Sequence, residues 1–251
     1  MRVGPAIAIP SSRRSAVASG PFTSSEIADM VANNALAAMW DTQTSTVTLN
    51  GADVSQINFL SAGAIHLVQA TGANQPLYTG APAYNGWPSV AFTAANSDQL
   101  ARVNTNLAAG DVTIITAQRV RTSGTTFIAF NGDALTTGVA IGQLGGLRAA
   151  NQTNVTNHSD AAISTAAAEV WVARFLAANS VPTLWVNGVN VALGGAASVK
   201  LATTGAATLA VGTAGAFFID MDWMFGAVFQ SSIPDALATS ITNRLKARLG
   251  L

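Results

Sequence analysis

An antiparallel all-β sandwich is the fold class the sequence predicts, and three observations predict it. From Trp40 to Gln230, short β-prone runs are separated by Gly, Asn, Asp and Pro about every ten residues. No helical period interrupts those runs, which argues against a parallel α/β sheet and for a sandwich or jelly roll. Asn-Gly pairs at 131–132 (followed by Asp133) and 187–188 sit at the ends of apolar segments, a strong short-range hairpin signal. The chain has 251 residues, a length that one sandwich can fill without a second domain.

Residues 1–22 are rich in Pro, Gly, Ser and Ala and have no apolar period, the composition of an extended arm. Such an arm is ordered only by lying against its own domain or a neighbouring subunit, and we favour the neighbour. Its apolar stretch AIAI is broken by Pro10 and followed by Arg13 and Arg14, unlike a secretory leader. Thr23 and Glu26 then form a capping box, and EIADMVANNALAAMW places Ile27, Met30, Val31 and Ala35 on one helical face. A short helix is expected over 23–39, weakened by Asn33 and Asn34.

The strands expected next are TVTL, AIHLVQA, PSVAFT, DVTIITAQRV, TTFIAFN, AAEVWVARFL, VPTLWVNG, TLAVG and FFIDMDWMFGAVF. Gly142, Gly145 and Gly146 fall in β territory and read as turn or bulge positions rather than a phosphate loop. The segment SSIPDALATSITNRLKARLGL predicts a closing helix over 232–249. Ser232 and Asp235 would cap it, Pro234 suits its first turn, and Ile233, Leu237, Ile241, Leu245 and Leu249 form its apolar stripe. Arg244, Lys246 and Arg248 lie where the helix dipole favours cations, and Gly250 is the stop.

Apolar residues make up 49% of the chain and charged ones only 10%, so a large core is available under a weakly charged surface. Lys plus Arg equals Asp plus Glu at 12 each, so no overall field attracts nucleic acid or an anionic membrane. Net charge near zero favours association. Cysteine is absent, and no apolar run reaches the roughly 18 residues of a membrane span.

A glycosidase needs two carboxylates flanking the scissile bond, yet glutamate occurs only at 26 and 169. Asp220 and Asp222 are the nearest pair, two apart on a strand and so on one face, with Met221, Trp223 and Phe225 on the other. They read first as solvated or turn-bonded, then as a cation site, and last as acid and base. His66 lies in an expected strand and His158 in an expected polar loop. Without a G-x-S-x-G elbow or cysteine, neither a serine triad nor a zinc site is signalled.

The tract QATGANQPLYTGAPAYNGWPSVAF, residues 69–92, combines edge-compatible Pro76 and the turn pair Asn85-Gly86 with Tyr78, Tyr84 and Trp87. The rings, expected on loops flanking the PSVAF strand, either cover the edge of the core or form a stacking platform for a sugar or a partner protein. With Trp40-Asp41 and STVTLNGADVSQI before it, the tract resembles the N-terminal half of concanavalin A-like (LamG-like) jelly-roll domains of tailed-phage and prophage virion proteins. Gln69, Ala70, Thr71, Gln75, Pro76 and Tyr78 match that family's first segment, and Asn85, Gly86, Pro88, Val90 and Phe92 its second. MFGAVFQSSIPDALATSITNRLKARLGL is similar to its final strand and closing helix, so the resemblance brackets residues 40–251.

The resemblance implies a noncatalytic structural virion protein, either a head decoration or a tail or fibre component. It would be made in the host cytoplasm and contact other virion proteins and its own copies through the arm, with no role for nucleic acid or membrane. The alternative it implies is a lectin for host-surface glycans contacting Tyr78, Tyr84 and Trp87, with a glycoside hydrolase third. No cofactor is expected beyond, at most, a calcium ion at Asp220 and Asp222. The Asp-rich loop of many members is reduced here to Asp98.

Overall fold

The computed structural model describes residues 20–60, 66–103, 105–124, 126–132, 138–203, 207–214 and 217–251. Most of the expected arm, residues 1–19, lies outside them. Helix α1 spans Ser24–Asn34, and its capping box forms as expected: the Thr23 N–H donates to Glu26 Oε2 at 2.8 Å, and the Glu26 N–H donates to Thr23 Oγ1 at 3.3 Å. The helix stops at Asn34 and does not reach residue 39. Ala35 turns left-handed at φ 52° and donates to the Met30 carbonyl, and the following LAAMW run gains a strand partner that its helical pattern did not reveal. Val31, expected on the buried face, is 42% exposed.

The strands are β1 (Leu36–Asp41), β2 (Val47–Asn50), β3 (Asp53–Ile57), β4 (Leu67–Val68), β5 (Leu77–Tyr84), β6 (Trp87–Phe92), β7 (Leu100–Val103), β8 (Val112–Val120), β9 (Thr126–Gly132), β10 (Val139–Leu144), β11 (Leu147–Gln152), β12 (Val155–Ala162), β13 (Glu169–Phe175), β14 (Thr183–Val186), β15 (Val189–Val191), β16 (Thr208–Val211), β17 (Thr213–Ala214), β18 (Phe217–Phe218) and β19 (Met221–Phe229). Helix α2, Asp235–Leu249, follows. One sheet runs β15–β14–β13–β8–β19. The free edge of β19 is shared: Met221–Trp223 pair with β6, and Phe225–Phe229 pair with β1. Beyond β6 lies β5. The other sheet runs β2–β3–β4–β7–β16–β9–β10–β11–β12. All of these pairings are antiparallel, and the whole is a jelly-roll sandwich.

Residues directly opposite in a ladder share a face. Trp40, Gly226, Thr116 and Trp171 are thus aligned on the inner face of the first sheet, while Met39, Ala227, Ile115 and Val172 are aligned on its outer face. Both sets are buried, because the helices cover the outer face. That double burial is why β8, β13 and β19 read as nearly continuous apolar runs and not as alternating ones.

Asn187-Gly188 forms the expected two-residue turn with φ 52° and 83°, and Asn85-Gly86 does the same at 53° and 80°. Asn131 and Gly132, by contrast, end β9: Asn131 already pairs with Val139, and Asp133 lies outside the described residues. Helix α2 buries Ile241, Leu245 and Leu249 as its stripe predicts, while Leu237 is half-buried and Ile233 is buried just ahead of the helix. Its N-cap is Pro234, with no side-chain cap. The expected Ser232 and Asp235 cap does not form, because the helix starts at Asp235 and leaves Ser232 two residues ahead of the N-cap; Asp235 pairs with Arg174 instead. The basic residues of α2 also do more than complement a dipole. Arg244 pairs with Glu26 at 2.6 Å, and Arg248 is buried against Asp41.

The irregular segment around 192–203 is laced to the second sheet by inward amides. Gln152 Nε2 donates to the Leu176 and Ser198 carbonyls at 3.1 and 2.6 Å, and Asn157 Nδ2 donates to that of Ala196 at 2.9 Å. These side-chain donors supplement sparse backbone bonding in the segment, such as the Ser180–Ser198 bridge. Lys200, 2% exposed, adds Nζ bonds to the carbonyls of Leu201 at 2.7 Å, Leu107 at 3.4 Å and Ala108. Burial lowers its pKa from 10.5 to about 8. Between those values the unfolded chain holds a proton that the folded chain lacks, so this group makes stability rise with pH there. The urea midpoint should therefore climb from pH 8 towards 10.5 in the wild type and climb less in Lys200→Met; equal slopes would contradict the assignment.

Candidate ligand-binding site

The aromatic tract folds into β5 and β6, and its rings turn inward more than expected. Trp87 is 2% exposed. Its Nε1 donates to Asp41 Oδ1 at 3.1 Å, and the Arg248 guanidinium lies over its ring at 3.6 Å. Trp87 is therefore no loop platform: its face is occupied by the protein itself, because β6 begins at this residue and directs it beneath α2. Tyr78 and Tyr84 are half-buried. Tyr78 donates to the Thr42 carbonyl at 3.2 Å, and Tyr84 donates to Asp222 Oδ2. Burial, and then the bond to Asp222, push the Tyr84 phenol up to about 12. Beside these residues lies a polar cleft of about 260 Å³ lined by Gly20, Pro21, Gln43, Asn85, Trp87 and Arg248.

The keystone of this region is one that sequence reasoning missed. Arg248 grips Asp41 with two bonds, Nη1 to Oδ2 at 2.6 Å and Nη2 to Oδ1 at 3.0 Å, and Nη2 also reaches Gln43 Oε1 at 2.7 Å. The side chains are 4% and 0% exposed. A usable signal was present, since Arg248 follows Leu245 by three residues and Ile241 by seven, which puts it on the apolar stripe.

The carboxylates considered for chemistry have partners. Asp220, just ahead of β19, accepts the Ala94 N–H at 2.8 Å, and Asp222 Oδ1 lies 3.6 Å from Arg121 Nε. Glu169 pairs with Arg148 at 2.5 Å and accepts Trp171 Nε1 at 2.7 Å. Asp98 is buried, which raises its pKa, and it accepts the Thr93 N–H at 2.8 Å. Among the described residues no group of three or more His, Asp or Glu is placed to hold a metal ion. His66 precedes β4, and its Nδ1 accepts the Phe59 N–H at 3.4 Å. His158 lies in β12, not in a loop, and its backbone exchanges bonds with Gly194 at 3.2 and 2.8 Å.

A second cleft, of about 150 Å³, opens on the outer face of the first sheet between α2 and the β14–β15 hairpin. Trp185 and Val172, opposite each other in the ladder, form its floor. Thr239 and Thr242 come from α2, and Asp235 stands at the rim with its side chain 85% exposed. Arg174 donates to Asp235 Oδ1 at 2.5 Å and to the Ile233 carbonyl at 2.8 Å, with its guanidinium 4.8 Å from the Trp185 ring centre.

No protein-family model matches the sequence, and no curated protein matches it. Solved structures match it in fold. The binding domain of Paraclostridial Mosquitocidal Protein 1 superposes with a TM-score of 0.58 at 12% identity, over 84% of this chain and 52% of that one. Domain 4 of AbnA, a GH43 extracellular arabinanase from Geobacillus stearothermophilus, in complex with arabinotriose, gives 0.55 at 10% identity over 83% and 98%. A structure of botulinum neurotoxin type C, whose cell entry is described as dependent upon interaction with two ganglioside molecules, gives 0.53 at 8% identity over 86% and 53%. The chain thus spans about half the length of the two toxin chains. These likenesses are likenesses of fold.

Proposed function

We propose that the chain is a noncatalytic glycan-binding module that serves as a structural component of a tailed-phage particle. The observation that carries the glycan reading is the sandwich itself, whose architecture is that of domains solved with arabinotriose or described by their ganglioside interaction. The noncatalytic reading is supported by the engagement of the available carboxylates: Glu26 by Arg244, Glu169 by Arg148, and Asp222 by Tyr84 and Arg121. A calcium ion at Asp220 and Asp222 would share these carboxylates with the Ala94 N–H, the Tyr84 hydroxyl and the Arg121 guanidinium.

Placement in the virion, as head decoration or as tail or fibre component, is favoured by the residue 69–92 tract and the closing helix. Residues 1–22 would then join copies of the chain to each other and to other virion proteins, after synthesis in the host cytoplasm. One set of measurements tests the whole reading. The full chain should give saccharide-dependent signals on a glycan array, release no sugar from a polysaccharide panel, and scatter light as an oligomer that dissociates when residues 1–21 are removed. Silence across the array would remove the glycan reading, sugar release would make the chain an enzyme, and a monomer at full length would remove the arm's role in self-association.

A further inference from the structure

We propose that the cleft between α2 and the β14–β15 hairpin is a subsite for a single neutral pyranose ring, an assignment that rests on the glycan-binding reading. Its floor is the Trp185 indole beside its ladder partner, Val172; Arg174 lies over one face of the ring, and the other face is the one that would pack against the C–H face of a sugar. Gly188 lines one end of the cleft without a side chain, leaving the approach to Trp185 open. The hydroxyl of Thr239, exposed on the α2 side, can both donate and accept. The space, about 150 Å³, is of the size of one ring.

Charge selects the class of sugar. Arg174 is a positioning residue. Its bonds to Asp235 and the Ile233 carbonyl hold the carboxylate at the rim, and its guanidinium packs over Trp185. The charge that meets solvent is therefore that of Asp235, 85% exposed, while Arg174 is 12% exposed. A carboxylate accepts strong hydrogen bonds from sugar hydroxyls and repels an acidic sugar. The cleft beside Trp87 offers no comparable ring, since Trp87 is 2% exposed.

The test titrates the full chain with methyl glucoside, methyl galactoside, glucuronate and N-acetylneuraminate, using ligand-observed NMR together with tryptophan fluorescence. The neutral glycosides should bind more tightly than the acids. Asp235→Ala and Trp185→Leu should each weaken neutral binding about tenfold or more, while Val103→Ser, on a distant exposed strand, should not. Thermal unfolding of each variant separates lost binding from lost fold, and Asp235→Ala, at an exposed position, keeps the test valid if Trp185→Leu unfolds. Unchanged neutral binding in Asp235→Ala would overturn the subsite and leave the glycan reading standing. A preference for the acids would overturn the charge argument. Absence of saccharide binding in the wild type, repeated on the array, would remove both proposals.

Discussion

Asp41→Ala destabilises the protein by about 3–5 kcal/mol, because it strands a buried guanidinium. Arg248 is 4% exposed and has three bonds, two of them to Asp41 and one to Gln43. Removing the carboxylate leaves a full charge under α2 with one amide oxygen as its partner. It also frees the Trp87 N–H and the Gln43 N–H, which both donate to Asp41 Oδ1. Arg248→Ala should cost a similar amount, since it strands Asp41 instead. The informative variant is the double one, Asp41→Leu with Arg248→Met. With no lone charge left, it should cost clearly less than the sum of the single variants, as expected for groups in direct contact. Urea unfolding followed by fluorescence reads all three. Single variants within about 1 kcal/mol of wild type, the range of an exposed pair, would mean that water reaches this site.

Gly212→Ala should cost about 2–6 kcal/mol, from two independent sources. Gly212 has φ 90°, and a Cβ there would lie 2.3 Å from Phe92 Cδ1 and 3.0 Å from the Asp98 carbonyl oxygen. The backbone term is about 1–3 kcal/mol, and overpacking adds about 1–3 kcal/mol. Phe92 is fully buried and has no free side towards which to move. Gly86→Ala isolates the first term, since Gly86 has φ 80° but nothing within 4 Å of the added carbon. The difference between the two variants in unfolding midpoint measures the clash. Equal losses would mean that Phe92 repacks without cost.

The legible parts of the fold were those where local chemistry and tertiary partner agree. Strands β8, β13 and β19 are apolar because both of their faces are covered, and Asn187-Gly188 is a turn in any context. Leu36–Asp41 was hidden because LAAMW continues a helical pattern, and only its pairing with β19 makes it a strand. Val155–Ala162 was hidden because its inward positions carry polar groups: Asn157 is buried not to fill a core but to bond the carbonyl of Ala196.

Site residues were harder to read for the same reason. Trp87, next to a turn, looks like a loop residue until Arg248 is known to cover it. Arg248, near a helix end, looks like a dipole partner until Asp41 is known to face it. The TLWVNG hairpin was plain, but nothing local says that Trp185 faces α2 and forms the floor of a cleft with Arg174 over its ring.

Strand β19 takes all of its ladder partners from the first half of the chain. Leu36 lies opposite Phe229, Val90 opposite Trp223, and Ala117 opposite Phe225. A nascent chain emerging from a ribosome therefore lacks the centre of its first sheet until residues 221–229 have been synthesised, and β1, β6 and β8 must wait, each with an unpaired edge. Loop closures this long slow folding and leave strand edges open to the wrong partners in the meantime. The pairing of β19 thus ties the closing of the first sheet to the arrival of a single strand, the one that joins β1, β6 and β8.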